Sequence, residues 1–243
     1  EEIGVKNGKV EALTQDSDSG FGIRVLSQGA WGFAASSKMT KSEIEAVFRK
    51  ALKIAKASSK AKGKDVFLSS VTPSVDQYQT PISVHPFHVS TEAKLELLLK
   101  ADEIIRRNKK VKISEAFMGS YQTEMTFAST EGTFIEQTIT ECGAGISATA
   151  IEGGEVQVRS YPNSFRGNFA TKGFEWIEHL ALPEHAQRIG EEAEHLLSAK
   201  PCPSKVTTLV LDSSQLALQI HESIGHPIEL DRILGTEASY AGT

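Results

Sequence analysis

At 243 residues, with a formal net charge of -5 and a pI near 5.9, the chain is long enough for one large domain or two small ones and carries no electrostatic footprint for nucleic acid. No apolar run reaches the roughly 18 residues that span a bilayer, and no N-terminal stretch has the basic-then-apolar order of a signal peptide. A cytoplasmic protein, with no membrane segment and no direct nucleic-acid binding, is the expectation; Cys142 and Cys202, outside any Cys-x-x-Cys pair, give no disulfide framework.

The chain opens at Glu1 without a methionine, inside a strand-like pattern, and stops at Thr243 soon after its most reactive segment, so it reads as part of a longer gene product. Ile3 and Val5 alternate with polar residues, Asn7-Gly8 is a strong two-residue turn signal, and Val10 to Thr14 return, which predicts a hairpin. A second hairpin follows from Phe21, Ile23 and Val25, a turn at Ser27-Gln28-Gly29, and Trp31 to Ala35. Thr40 and Glu43 make a capping box ahead of a helical stripe, Ile44, Val47, Phe48, Ala51, Leu52 and Ala55. Residues 1–59 therefore read as an N-terminal unit of hairpins covered by one helix.

Residues 60–90 read as an ordered connector, punctuated by Gly63, Pro73, Pro81 and Pro86 and anchored by apolar residues such as Tyr78 and Phe87. A middle α+β domain is expected over 91–200. It begins with a helix capped by Ser90 or Thr91 and running to about Arg107. From Val111 to Tyr161 strand follows strand, with turns at Thr130-Glu131-Gly132 and Gly153-Gly154, and a further helix is entered at Pro183 with Ala186, Ile189 and Ala193 inward. A turn, a Gly-x-Gly-Ile strand and a helix occur in order twice, at Gly20 to Ile23 and at Gly143 to Ile146, which reads as a weak internal duplication. The paired glycines fit close approach of a packed helix better than phosphate binding, since no glycine-rich strand-to-helix loop follows them.

Pro201-Cys202-Pro203 leads to a predicted strand, Val206 to Leu211, rich in β-branched residues. Asp212 or Ser213 then caps a helix whose apolar side is Leu216, Ala217, Ile220 and Ile224. Residues 205–243 read as the start of a C-terminal catalytic domain. The expected fold class is α+β: antiparallel hairpin sheets covered by helices, leading into a strand-helix unit that carries the chemistry.

That chemistry lies in Ile220 to Asp231, where His221 and His226 bracket Glu222. Neutral imidazoles and a carboxylate able to take a proton from water are what a hydrolytic zinc site needs. The spacing is awkward, because residues five apart on a regular α-helix stand about 140° apart around its axis. Gly225 loosens the turn and Pro227 pushes His226 out of the α region, which predicts an interrupted helix that swings His226 back toward His221. The bland alternative is a half-buried helix whose polar residues satisfy one another. Downstream, Glu229 and Asp231 read either as groups that orient the ligand imidazoles or as charges in an exposed turn. His85 and His88 read as loop residues, His179, His185 and His195 as solvent-side helix residues, Cys142 as a packed strand residue and Cys202 as a linker residue. A catalytic zinc takes three protein ligands plus water, and the segment offers two.

The run from His221 to Asp231 resembles the His-Glu-x-x-x-His-x-x-Glu-x-Asp signature of the TldD/PmbA metalloproteases, also called modulators of DNA gyrase. Val5 to Glu11, Gly20 to Val25 and Trp31 to Ala34 look like that family's first domain, and Thr91 to Ser198 like its middle domain. The resemblance implies a zinc-dependent peptidase cleaving unfolded peptides or small proteins, working as a homodimer or as a heterodimer with a PmbA-like subunit. It implies His221 and His226 as zinc ligands and Glu222 as general base, with the third ligand, a cysteine, in a region beyond Thr243 on which activity depends. PmbA-like subunits lack the His-Glu pair, so His221 and Glu222 put the chain on the TldD-like, catalytic side. Two other readings stay open: a noncatalytic peptide-binding or scaffold subunit of such a complex, and a metal-dependent hydrolase acting on something other than peptides.

Overall fold

Two tight turns organise the N-terminal strands. Asn7 and Gly8 both adopt positive φ, 49° and 77°, and so do Gln28 and Gly29, at 53° and 69°; such pairs match the twist of a two-residue hairpin. They join β1 (Glu2–Lys6) to β2 (Lys9–Thr14) and β3 (Phe21–Ser27) to β4 (Ala30–Ser36). The computed structural model describes residues 1–61, 63–162 and 167–238. In it the two hairpins part company. β3 and β4 form a two-stranded sheet of their own, whereas β1 hydrogen-bonds to β6 (Val111–Ala128), with Ile3 opposite Met118 and Val5 opposite Ala116.

Helix α1 (Lys41–Ser58), capped as predicted by the Thr40 hydroxyl accepting the Glu43 N–H, covers the β3–β4 ribbon alone. Val47 and Ala51 pack with Ala34, Ile23 and Val25, and Ala55 is buried on the same helix. Gly32 lies so close to the α1 backbone at Ala51 and Ala55 that a Cβ would overlap it. This is where a helix approaches a glycine closely. The paired glycines are not approached this way: Gly20 and Gly22 lie against the Ser36 carbonyl and the Phe33 ring, and Gly143 and Gly145 against the Phe169 ring and the Gly167 backbone.

The larger sheet has seven strands and is built on β7 (Phe134–Glu152), which pairs with β6 along nearly its whole length. The other edge of β7 is used three times in succession. Residues Phe134 to Thr138 take β5 (Val75–Gln79) in parallel, Cys142 to Ala144 take β9 (Asn168–Ala170), and Ile146 to Glu152 take β8 (Glu155–Tyr161). The connector predicted from its prolines thus contributes an edge strand, and β1 lies between β2 and β6.

One face of this sheet is small and flat. Ala116, Ala144, Ala148 and Ala150 stand beside Ile3, Val5, Met118 and Ile146, and all are buried. Onto them pack α2 (Thr91–Arg106), through Leu98, Ala101 and Ile105, and α4 (Leu182–Leu196), through Ala186, Ile189 and Ala193. Each of the larger aliphatics contributes about 1.5–3 kcal/mol by leaving water. The Ser90 hydroxyl caps α2, and Pro183 sits in the first turn of α4, as the sequence predicts. A short helix, α3 (Glu175–His179), completes the layer with buried Ile177.

Charge inside the body is paired. Asp102, with no exposed surface, accepts hydrogen bonds from Arg106 Nε at 2.7 Å and Ser114 Oγ at 2.5 Å. Lys94, also buried, pairs with Glu1. Burying an ionised group without such partners costs several kcal/mol; the Ser114 bond ties α2 to β6, and the Lys94 pair ties it to the first residue of the chain.

The predicted strand from Val206 to Leu211 does not form: Val206, Leu209 and Val210 are exposed and pair with no strand among the described residues. A β-branched run becomes a strand only where a neighbour supplies the other half of its ladder. Helical structure resumes at α5 (Ser213–Ile220) and ends in α6 (Leu230–Ile233).

Candidate metal centre

α5 starts where the sequence places its cap. Asp212 is extended, with φ -66° and ψ 152°, and its Oδ1 accepts the Ser214 N–H at 2.8 Å and the Ser214 hydroxyl at 2.6 Å. These hydrogen bonds hold the Asp212 carboxyl below the usual carboxylate range. Of the apolar side expected on α5, Leu216 is half-buried and Ile220 is exposed.

After Ile220 the helix widens. Residues His221–Gly225 form a π turn, in which the His226 N–H donates to the His221 carbonyl, and His226–Ile228 continue as a 3-10 turn. The five-residue spacing that separates the histidines on an α-helix is the repeat of an i→i+5 hydrogen bond, so the π turn stacks one over the other. Their rings lie 4.6 Å apart, edge to face at 83°.

The interruption is therefore real, but its mechanism differs from the one the sequence suggests. His226 stays in the α region, with φ -63° and ψ -45°. Pro227 acts instead through its missing N–H, which cannot continue the ladder, and the next carbonyl bond runs from Glu229 N–H to His226 O. Gly225 is also helical, and a Cβ there would make only an ordinary contact with the Ile220 carbonyl, so its contribution is a weak helix propensity rather than steric necessity.

The Glu222 carboxylate lies between the imidazoles, Oε1 3.9 Å from His221 Nε2 and Oε2 3.8 Å from His226 Nε2. Taking one donor atom from each residue, the three atoms lie within 4.8 Å of one another, and this is the one such group of three or more metal-capable side chains among the described residues. The two imidazole nitrogens suit zinc as ligands, and the carboxylate beside them is placed to take a proton from water. The cluster opens outward, its side chains 64%, 36% and 27% exposed for His221, Glu222 and His226.

Of the two downstream acids, only Glu229 reaches the cluster. Its Oε1 lies 3.0 Å from His226 Nδ1, and its Oε2 accepts from Arg232 Nε at 2.6 Å. The Arg232 hydrogen bond first, and the His226 contact second, hold the Glu229 carboxyl below the usual range. Asp231 faces the other way, its Oδ1 accepting the Arg232 backbone N–H while its carbonyl accepts from Thr236. Arg232 went unread in the sequence, although a basic residue three positions after Glu229 on a helical path is the signal that marks it.

The other candidates lie elsewhere. Cys142 is fully buried in β7 beside the Ser120 hydroxyl, and burial pushes its thiol up, away from the thiolate a metal requires. Cys202 is exposed in the linker. His85 and His88 stack on each other at 4.3 Å, His185 stacks on Tyr161 at 3.9 Å and His179 on Trp176 at 5.3 Å. Each is occupied in a ring contact of the body.

The PmbA/TldA metallopeptidase domain 1 matches residues 1–55, and the PmbA/TldA metallopeptidase central domain matches residues 84–200. A metalloprotease of Methanocaldococcus jannaschii is 31% identical over 240 residues, covering 98% of this chain and 51% of its own length. A metalloprotease of Methanothermobacter thermautotrophicus is likewise 31% identical, over 238 residues, covering 98% and 50%. The chain thus spans about half the length of the curated relatives it matches. Among solved structures, a protein of Thermotoga maritima described as a modulator of a DNA gyrase superposes with a TM-score of 0.64 at 19% identity, covering 84% of this chain and 44% of that one. TldE of Thermococcus kodakarensis superposes at 0.56 with 15% identity, covering 79% and 41%. These two share the α+β fold, and the two domain matches, which between them cover most of the chain, establish that it belongs to the TldD/PmbA metallopeptidase family.

Proposed function

We propose that this chain carries the metal-binding and proton-transfer residues of a zinc peptidase that cleaves unfolded peptides or small proteins. The observation that supports it most directly is the π turn, which brings His221 Nε2 and His226 Nε2 to either side of the Glu222 carboxylate. His221 and His226 are the proposed zinc ligands, with a third, a cysteine, contributed from beyond Thr243. Zinc bound there supplies an acidified water and a Lewis acid for the scissile carbonyl. Glu222 accepts the proton of the attacking water and returns it to the leaving amine, the work of a general base and then a general acid. Glu229, bonded to His226 Nδ1, leaves the opposite ring nitrogen for the metal.

The relatives' metalloprotease names support a peptide as substrate, and the fold shared with TldE supports a TldD/PmbA-type dimer, with a second copy or a PmbA-like subunit. No helix among the described residues is long and apolar enough to cross a membrane, which is compatible with a cytoplasmic site of action. The competing reading is a noncatalytic scaffold subunit.

The test is the full-length protein beside its Glu222→Gln variant, assayed for zinc content and for cleavage of an unfolded peptide. Retained zinc with cleavage reduced by about 100-fold or more is the expected result. Undiminished cleavage contradicts the proposal, and a wild-type protein that binds zinc but cleaves nothing favours the scaffold.

A further inference from the structure

The most developed contact near the cluster involves a residue outside the His-Glu-x-x-x-His motif. Arg232 lies on α6, and its side chain is 13% exposed although the segment around it is open to water. Its Nε donates to Glu229 Oε2 at 2.6 Å, and the other oxygen of that carboxylate lies 3.0 Å from His226 Nδ1. The carboxylate is thus held at both oxygens, by a guanidinium on one side and an imidazole on the other. A glutamate carboxylate alone can swing about three side-chain torsions; one hydrogen-bonded at one oxygen to a guanidinium has its other oxygen aimed.

The aim matters because an imidazole has two nitrogens of different roles. Where Nδ1 carries the proton and donates it to an acceptor, Nε2 is left with its lone pair available. His226 Nε2 is the atom that faces Glu222, 3.8 Å from its Oε2, so a ring held by Glu229 at Nδ1 has its opposite nitrogen turned toward the cluster. His221 has no counterpart at this position among the contacts described, and its side chain is more than twice as exposed as that of His226.

We infer that Arg232 is a positioning residue for the metal centre, which acts through Glu229 to hold the His226 ring in the orientation and tautomer that present Nε2 to the metal. The inference rests on the zinc-site reading above. It places no charge on the metal and no contact with substrate; Arg232 touches Glu229, and Glu229 touches the ligand.

The test uses the full-length protein with Arg232→Met, Arg232→Lys, Glu229→Gln and the Arg232→Met/Glu229→Gln pair. Zinc affinity is measured by competition with a chromophoric chelator, and the imidazole nitrogen shifts of His226 are measured in zinc-free, histidine-labelled protein. Arg232→Met is expected to weaken zinc binding by about 10-fold, the lower end for loss of a group that orients a ligand. The double variant is expected to bind no more weakly than Glu229→Gln alone, because the two residues act in series. Arg232→Lys retains a cation without the fork and is expected to fall between wild type and Arg232→Met. In the zinc-free protein the shifts are expected to report protonated Nδ1 and bare Nε2 in wild type, and a mixture of tautomers in Arg232→Met.

Unchanged affinity in Arg232→Met, or a loss that adds in full to that of Glu229→Gln, overturns the inference. The two proposals fail separately. If wild type holds no zinc, the metal reading is lost, and the tautomer measurement alone then decides whether Arg232 orients His226: identical shifts in wild type and Arg232→Met overturn it.

Discussion

The sheet-and-helix body and the segment that carries the histidines are held in opposite ways. In the body, Leu98, Ile105 and Ile189 have no exposed surface, and even the carboxylate of Asp102 is sealed under its hydrogen bonds. From Ser213 to Ile233 no residue is fully buried. Order in that segment comes from a cap at Asp212, a π turn, and the Arg232, Glu229 and His226 side chains in series. Within this chain the body is ordered by packing and the segment by hydrogen-bond geometry. Substitutions should separate along that line, with body variants moving stability and segment variants moving metal binding.

The largest expected contrast is in stability. Ile189→Ala removes a fully buried side chain from the α4 face and is expected to lower unfolding free energy by about 2–5 kcal/mol. Leu230→Ala, at a residue 72% exposed in the 243-residue chain, is expected to change the unfolding free energy of that chain by less than about 0.5 kcal/mol. Paired denaturant titrations check both, and a comparable loss at the two positions would erase the distinction drawn here.

The cysteines give the next contrast. Cys142 is sealed and its thiol is pushed up by burial, whereas Cys202 lies exposed between two prolines. A thiol reagent applied to folded protein is expected to modify Cys202 and to reach Cys142 only on unfolding; mass spectrometry of the labelled peptides reads the outcome.

A smaller effect, confined to acid, is expected at Glu175. Burial works to raise its carboxyl, but backbone N–H donors, Val84 and Gly173 both at 2.9 Å, outweigh burial and bring it below its ordinary 4.5. For a depressed carboxyl the stabilisation is complete above the unfolded value and is lost as pH falls through the lower folded one. Glu175→Gln is expected to flatten the melting temperature's dependence on pH below about 4.5, where wild type declines. An unchanged acid limb would show that these amides contribute nothing to the pH response.

What the sequence discloses follows the same division. Thr40, Ser90, Pro183 and Asp212 announce their helices because a cap acts within one turn of chain, and Asn7-Gly8 announces a hairpin for the same reason. Pairings across long stretches are not written locally. Nothing near Ile3 specifies Met118 as its neighbour, and nothing near Val75 specifies Phe134. The run from Val206 to Leu211 shows the converse, β propensity without a partner strand. At the metal centre the residue types were legible and their geometry was not. His221, Glu222, His226 and Glu229 come together despite a spacing that parts the two histidines on a regular helix, because the turn between them is a π turn, and Asp231 belongs to α6 while Arg232 takes up the carboxylate.

The central claim is that His221 and His226 hold one zinc ion. Anomalous scattering at the zinc edge, from crystals of the full-length protein grown with zinc, tests it most directly. The account predicts one peak about 2.0–2.1 Å from Nε2 of both histidines, with Glu229 still bonded to His226 Nδ1. A zinc ion bound elsewhere, or one that leaves His221 or His226 uncoordinated, would contradict it.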